Sequence, residues 1–193
     1  MEYAARADKD LALALQKGDD YAFDEMVRRF HGRVYAVAYR LTGNREDALD
    51  VAQDAFLKAY RKIGSWRPTG GFLPWLLRLT RNQAIDHLRR RKRRRQDPLD
   101  ETFQQATEGA PVEPWTMSTD RAVHAKEIDE RVRSALVKLS PTQSTVFMLR
   151  HYEGMALAEI AEELGCTVGS VKVHLFRALK KMRVELADLH ENV

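Results

Sequence analysis

Apolar residues recur at intervals of three and four along almost the whole chain, the spacing that puts them on one face of an α-helix. No run alternates β-branched or aromatic with polar residues between turn residues, so strand signals are missing and the expected fold is all-α. The first half reads as four helices. A short one covers about Lys9 to Lys17. A second begins at Asp19, a capping residue, carries Phe23, Met26, Val27, Phe30, Val34 and Leu41 inward, and ends at Thr42-Gly43. Asn44 caps a third, which runs to about Ile63 with Ala48, Val51, Ala52, Ala55, Phe56 and Ala59 inward. A turn from Gly64 to Gly71 holds Trp66 and Pro68, and a fourth helix starts near Phe72.

The pattern breaks over 96–119. Pro98, Pro111 and Pro114, with acidic and polar residues between them, predict an extended linker without its own core. Helical spacing resumes from about Asp120 to Leu139, with Ile128, Val132, Leu136 and Leu139 inward. Ser140-Pro141-Thr142-Gln143 then starts another helix: serine caps, proline suits the first turn, and glutamine completes a capping box. The expected organisation is two small helical domains, 1–95 and 120–193, joined by the linker.

Residues 157–183 predict a helix-turn-helix. Leu157, Ile160, Ala161 and Leu164 mark a short amphipathic helix, Gly165 ends it, and Thr167 caps the next. That next helix places Val168, Val171, Leu175, Leu179 and Met182 on one face. Ser170, Val173, Phe176, Arg177, Lys180 and Lys181 face away from it. Residues 168–183 hold five basic side chains and no acid. A helix with one buried face and a mixed, basic outer face suits the major groove of DNA. The alternative is a bundle helix whose lysines only keep it soluble.

Charge sharpens the picture. The chain has 193 residues and a net charge of +4, which by itself says little. Between Leu76 and Arg95, however, nine basic residues face one acid, and 96–120 holds six acids and no base. Concentrated like charge points to a partner of opposite sign. In the fourth helix Trp75, Leu79, Asn82, Asp86 and Arg89 share one stripe, apart from a core stripe of Leu77, Ala84 and Leu88. For Trp75, core packing and a DNA-side role both remain open. Seven consecutive cations, Arg89 to Arg95, follow; such a run binds polyanions without sequence preference. On the third helix Asp47, Asp50, Asp54 and Lys58 lie opposite the core. Leu57 falls beside them and Gln53 borders them, so a protein-docking face and a plainly solvated one both remain open.

Other chemistries find no support. The single cysteine, Cys166, has no disulfide partner, fits a reducing compartment, and reads as a small turn residue. Six histidines form no metal-ligand spacing, and no phosphate-cradling loop or nucleophile elbow is present. An enzyme is not expected, nor any cofactor or metal. No apolar stretch approaches a membrane span and the N-terminus is charged rather than signal-like, so a cytoplasmic protein is expected.

Three motifs in order resemble the extracytoplasmic-function group of bacterial RNA polymerase sigma factors. They are Asp47-Ala48-Leu49-Asp50-Val51-Ala52-Gln53-Asp54-Ala55-Phe56; Asn82-x-x-x-Asp86-x-x-Arg89-Arg90; and Glu159 to Cys166 continued by Val168-Gly169-Ser170-Val171-Lys172-x-x-Leu175-Phe176-Arg177-Ala178. The resemblance implies a region 2-like domain that docks on core polymerase and reads and melts the −10 element. It also implies a region 4-like domain that reads the −35 duplex. On that basis Asp50, Gln53, Asp54 and Leu57 dock on the β′ clamp helices, and the β flap is a further polymerase contact. Trp66, Arg78, Asn82, Asp86, Arg89 and Arg90 serve the −10 element, the Trp66–Phe72 turn holding an unstacked base. Ser170, Lys172, Val173, Phe176, Arg177 and Lys180 serve the −35 element. The acidic linker would thread channels that otherwise hold nucleic acid, and an anti-sigma protein is an expected partner.

The sequence departs from that group at Ala156, where a capping serine is common, and at Val173 and His174, where polar or basic residues are commoner. No further domain is expected after the motif. A stand-alone duplex-binding regulator is the competing function; it leaves the second motif, the Asp50 face and the acidic linker without a role.

Overall fold

The computed structural model describes residues 3–94 and 119–187, and among these no strand occurs. The expected linker over 96–119 falls almost wholly outside the described residues, as does Arg95 of the cationic run. Eight α-helices follow one another: α1 (Asp8–Gln16), α2 (Asp20–Thr42), α3 (Arg45–Lys62), α4 (Phe72–Arg94), α5 (Thr119–Lys138), α6 (Pro141–His151), α7 (Leu157–Leu164) and α8 (Val168–Glu185). Short 3-10 turns at Tyr3–Ala5 and Ile63–Ser65 complete them.

The capping residues act as the sequence predicts. Asp19 accepts from the Ala22 amide, Asn44 from Asp47 at 2.8 Å, and Thr167 from Ser170 at 3.1 Å. Ser140 and Gln143 form a reciprocal capping box. Each bond satisfies an amide that a helix start leaves without an intrahelical acceptor. Ala156 offers no side-chain acceptor to α7, and only Glu159 reaches back, accepting the Ala156 amide at 2.6 Å.

Helices α1–α4 pack around Phe30, Met26, Val34, Leu76 and Leu77, all fully or almost fully buried. Edge-on rings of Phe23 against Phe56 and Tyr60 close one side. Helices α5–α8 pack around Leu136, Val146, Leu149, Ile160, Val171 and Met182. The two cores are continuous, because α4 lies against α6 and α7, and α2 lies against α5.

That contact decides the place of Trp75, which the pattern left open, and of Leu79; elsewhere the faces depart from the expected ones. Trp75, 8% exposed, is buried and Leu79 packs against the core, because α4 meets the C-terminal half as well as its own bundle. Ile128 is exposed rather than inward, whereas Ala135 and Leu136, further along α5, are buried. On α8 the buried stripe runs through Val171, Ala178 and Met182, with Leu175 half-buried, while Val168 and Leu179 are exposed. The stripe is narrower than the apolar spacing suggests because α5, α6 and α7 together cover only part of the helix.

Candidate nucleic-acid and polymerase interfaces

Three surfaces carry the residues singled out from the sequence. On α3, Asp50, Gln53 and Asp54 are exposed, and Leu57 beside them is 45% exposed. Leu49 is exposed too and lies one turn before Gln53, with Leu57 one turn after it. The face is therefore two leucines around a glutamine with carboxylates alongside. Leu49 was legible in the spacing, since 49, 53 and 57 fall four apart, but its neighbours Ala48 and Val51 draw attention inward.

Asp47 does not belong to that open face. Its carboxylate hydrogen-bonds His87 at 2.8 Å and pairs with Arg91 at 2.5 Å, both from α4. Burial pushes this carboxyl up, but hydrogen bonds from Asn44 and His87 and the nearby charges of His87 and Arg91 outweigh it and hold it below its ordinary value. Asp47 thus fastens the N-terminus of α3 to the basic end of α4. Lys58 is likewise engaged, donating to the Gln83 side chain at 2.6 Å.

The second surface is α4 with the loop before it. Arg78, Asp86, Arg89 and Arg90 are exposed and Asn82 is half-buried, so the polar stripe stands clear where Trp75 and Leu79 do not. Asp86 and Arg89 are largely open to water, 3.9 Å apart, and so are available to a ligand. Trp66 is only 3% exposed; its ring stands edge-on to Phe72, and its indole N–H has no partner. The Gln16 side chain donates to the Ile63 and Trp66 carbonyls and fixes the loop to α1.

The third surface is α8. Lys172, Val173, Phe176, Arg177 and Lys180 are exposed, Phe176 to 68%, and Ser170 is half-buried. An exposed phenylalanine and valine among cations are unusual on a helix that only needs to be soluble. Gly165, at φ +62°, adopts the left-handed conformation that turns α7 into α8. Among the described residues no group of His, Cys, Asp or Glu is arranged to hold a metal ion, and no helix is long and apolar enough to cross a membrane.

Comparison with known proteins matches these surfaces to named regions. The sigma-70 region 2 family covers residues 26–94, which hold α3 and α4, and the sigma-70 region 4 family covers 129–182, which hold the helix-turn-helix. The RNA polymerase sigma-H factor of Pseudomonas aeruginosa is 35% identical over 94% of this chain and 95% of its own. The chain belongs to the ECF family of RNA polymerase sigma factors. The ECF sigma factor SigW of Bacillus subtilis is 31% identical over 91% of the chain and 94% of its own length. Among solved structures, CnrH in complex with the cytosolic domain of CnrY is 26% identical, with a TM-score of 0.56 over 95% of this chain and 99% of that one. An ECF sigma factor has two domains of this kind, and both are present here in order. Sequence reasoning missed one residue of this sigma factor that matters structurally: Arg81, 4% exposed, whose guanidinium donates to the carbonyls of Val137 and Leu139. Nothing in an arginine-rich helix marks one arginine as buried.

Proposed function

We propose that the chain directs promoter-specific initiation by core RNA polymerase, with each surface serving one step and no covalent chemistry of its own. The α3 face, two leucines with Asp50, Gln53 and Asp54, docks on the β′ clamp helices: the leucines supply apolar area and the carboxylates meet basic residues. Arg78, Asn82, Asp86, Arg89 and Arg90 meet the −10 element, and the Trp66–Phe72 loop receives an unstacked base. Bases held outside the stack offset the cost of opening the duplex, so no ATP is consumed. Ser170, Lys172, Val173, Phe176, Arg177 and Lys180 enter the major groove at −35, the cations setting register on phosphates and the others reaching base edges.

Residues 1–95 form the docking and −10 domain and 120–193 the −35 domain. The acidic stretch between them passes through polymerase channels, and the β flap holds the C-terminal domain. The protein acts in the cytoplasm, with no cofactor, under an anti-sigma partner.

The observation that carries this reading is the coexistence, on one chain, of an open acid-and-leucine face on α3 with two separate basic surfaces on α4 and α8. A stand-alone regulator needs only the last. In transcription assays with purified core polymerase on a pool of promoter fragments, the expected result is a selective set of transcripts that requires this protein. Duplex binding without polymerase and no such transcripts would favour the stand-alone regulator.

A further inference from the structure

Helix α8 lacks the side chains that read adenine and cytosine directly. Residues 168–184 contain no Asn, Gln, Asp or Glu. In the major groove adenine is met by an amide that both donates and accepts, and the cytosine amino group by an acceptor such as a carboxylate. His174 could offer an acceptor, but it is half-buried and its Nδ1 is shut off from water without a partner. The Thr167 hydroxyl is engaged in capping, accepting the Ser170 amide at 3.1 Å. Ser170 remains, half-buried, and a hydroxyl donates to or accepts from any base.

What the helix does present is of two kinds. Lys172 and Arg177 are exposed cations, the type that donates to O6 and N7 of guanine. Val173, 47% exposed, and Phe176 are apolar and stand on the outward side, away from the buried stripe of Val171, Ala178 and Met182. Three residues apart, they are offset by about 4.5 Å along the helix axis, against about 3.4 Å from one base to the next along a DNA strand. Two such side chains therefore reach base pairs that are neighbours or next neighbours. An apolar side chain gains free energy only when apolar surface covers it. The apolar group on the major-groove edge of a base pair is the C5 methyl of thymine. The charge around the two residues selects that occupant: residues 168–183 hold five cations and no acid, so the surface attracts a polyanion.

We infer that α8 reads the −35 duplex as guanines and thymine methyl groups. Arg177 and Lys172 take guanine, while Val173 and Phe176 cover the C5 methyls of thymines that lie within two base pairs of each other. This rests on the assignment of α8 to the −35 element made above. Adenine is then recognised through the thymine paired with it, whose methyl stands in the same groove. Val173, at a position where polar or basic residues are commoner, exchanges a hydrogen bond to a base for contact with a methyl.

The test uses holoenzyme formed from core polymerase and the full chain, on a promoter fragment chosen by the transcription assay. Each thymine of the −35 region, on either strand, is replaced in turn by deoxyuridine, which removes the methyl and keeps every hydrogen-bonding group. Binding should weaken about fourfold at one or two of these positions, the worth of one buried methyl-sized group. Val173→Ala should bring the thymine-to-uracil ratio near one at one position, and Phe176→Ala at the other. Both side chains are exposed, so the variants should melt as the unaltered chain does. A −35 element that is required for binding yet indifferent to the loss of each methyl would overturn the inference, as would a thymine preference that both variants retain. A scrambled −35 element bound as tightly as the original would instead contradict the assignment of α8 on which the inference rests. If no holoenzyme forms, the polymerase reading fails. The same scan on a duplex that the chain alone selects from a random pool then decides the inference, and selection of none overturns it.

Discussion

Asp47 shows how one side chain can be placed by pattern and misjudged in role. Helical spacing puts it on the outer face of α3 with Asp50 and Asp54, but an acidic residue near a helix start meets whatever cation the next helix brings, here His87 and Arg91. Its carboxyl lies below the ordinary value of 3.8, so it contributes stability above that pH and loses it as pH falls through the lower, folded-state value. In thermal melts followed by circular dichroism, Asp47→Asn should lower Tm at neutral pH, with the gap closing as pH falls through the lowered native value and the native carboxyl also becomes protonated. A gap independent of pH would mean that shape, not charge, is what Asp47 supplies. Asp50 and Asp54 differ, being exposed. Asp50→Arg with Asp54→Arg should abolish co-purification with core polymerase while leaving helicity and Tm nearly unchanged. On α8, Arg177→Ala should weaken promoter binding by about 1–3 kcal/mol if the guanidinium reads a base edge, measured as holoenzyme affinity for a fixed promoter.

At the scale of elements, the helices and their caps were legible because they rest on local chemistry. Asp19, Asn44, Ser140 and Thr167 cap in the structure as their positions predict. Ala156 is the informative exception. The turn before α7 gives the helix no side-chain acceptor, and Glu159 alone closes the start. Ala156→Ser should therefore raise stability by about 0.5–1 kcal/mol, read from urea unfolding, without changing promoter choice. What the pattern misjudged were faces. Leu79, Val168, Leu179 and Ile128 were assigned from periodicity within one helix, and periodicity says which residues share a face, not which faces are covered; for Trp75, left open by the pattern, the structure selects the core. A second covering body over α4, and the lack of cover at Ile128 on α5 and at Val168 and Leu179 on α8, decide those positions.

At the scale of the molecule, the division into two helical halves followed from the proline-rich acidic interruption, and the three motifs fixed their kind. The contact between the halves was not legible, because its partners are ordinary residues: a glycine amide, a glutamate carbonyl, and an arginine among nine cations of one stretch. Only the tertiary structure brings Gly71 to Glu163 and Arg81 to the end of α5. The same architecture separates three chemistries in space. In the function proposed here, that separation lets one chain hold a polymerase, read a duplex and capture a single strand.

The central claim is that this chain enables core polymerase to open promoter DNA. Permanganate oxidises unpaired thymines, so it reports melting directly. With core polymerase, a promoter fragment selected by the transcription assay and no nucleotides, thymines across the −10 region should become reactive only when this protein is present. They should return to the background level with Asp50→Arg/Asp54→Arg. A duplex that stays unreactive although polymerase, protein and promoter are all bound together would contradict the account.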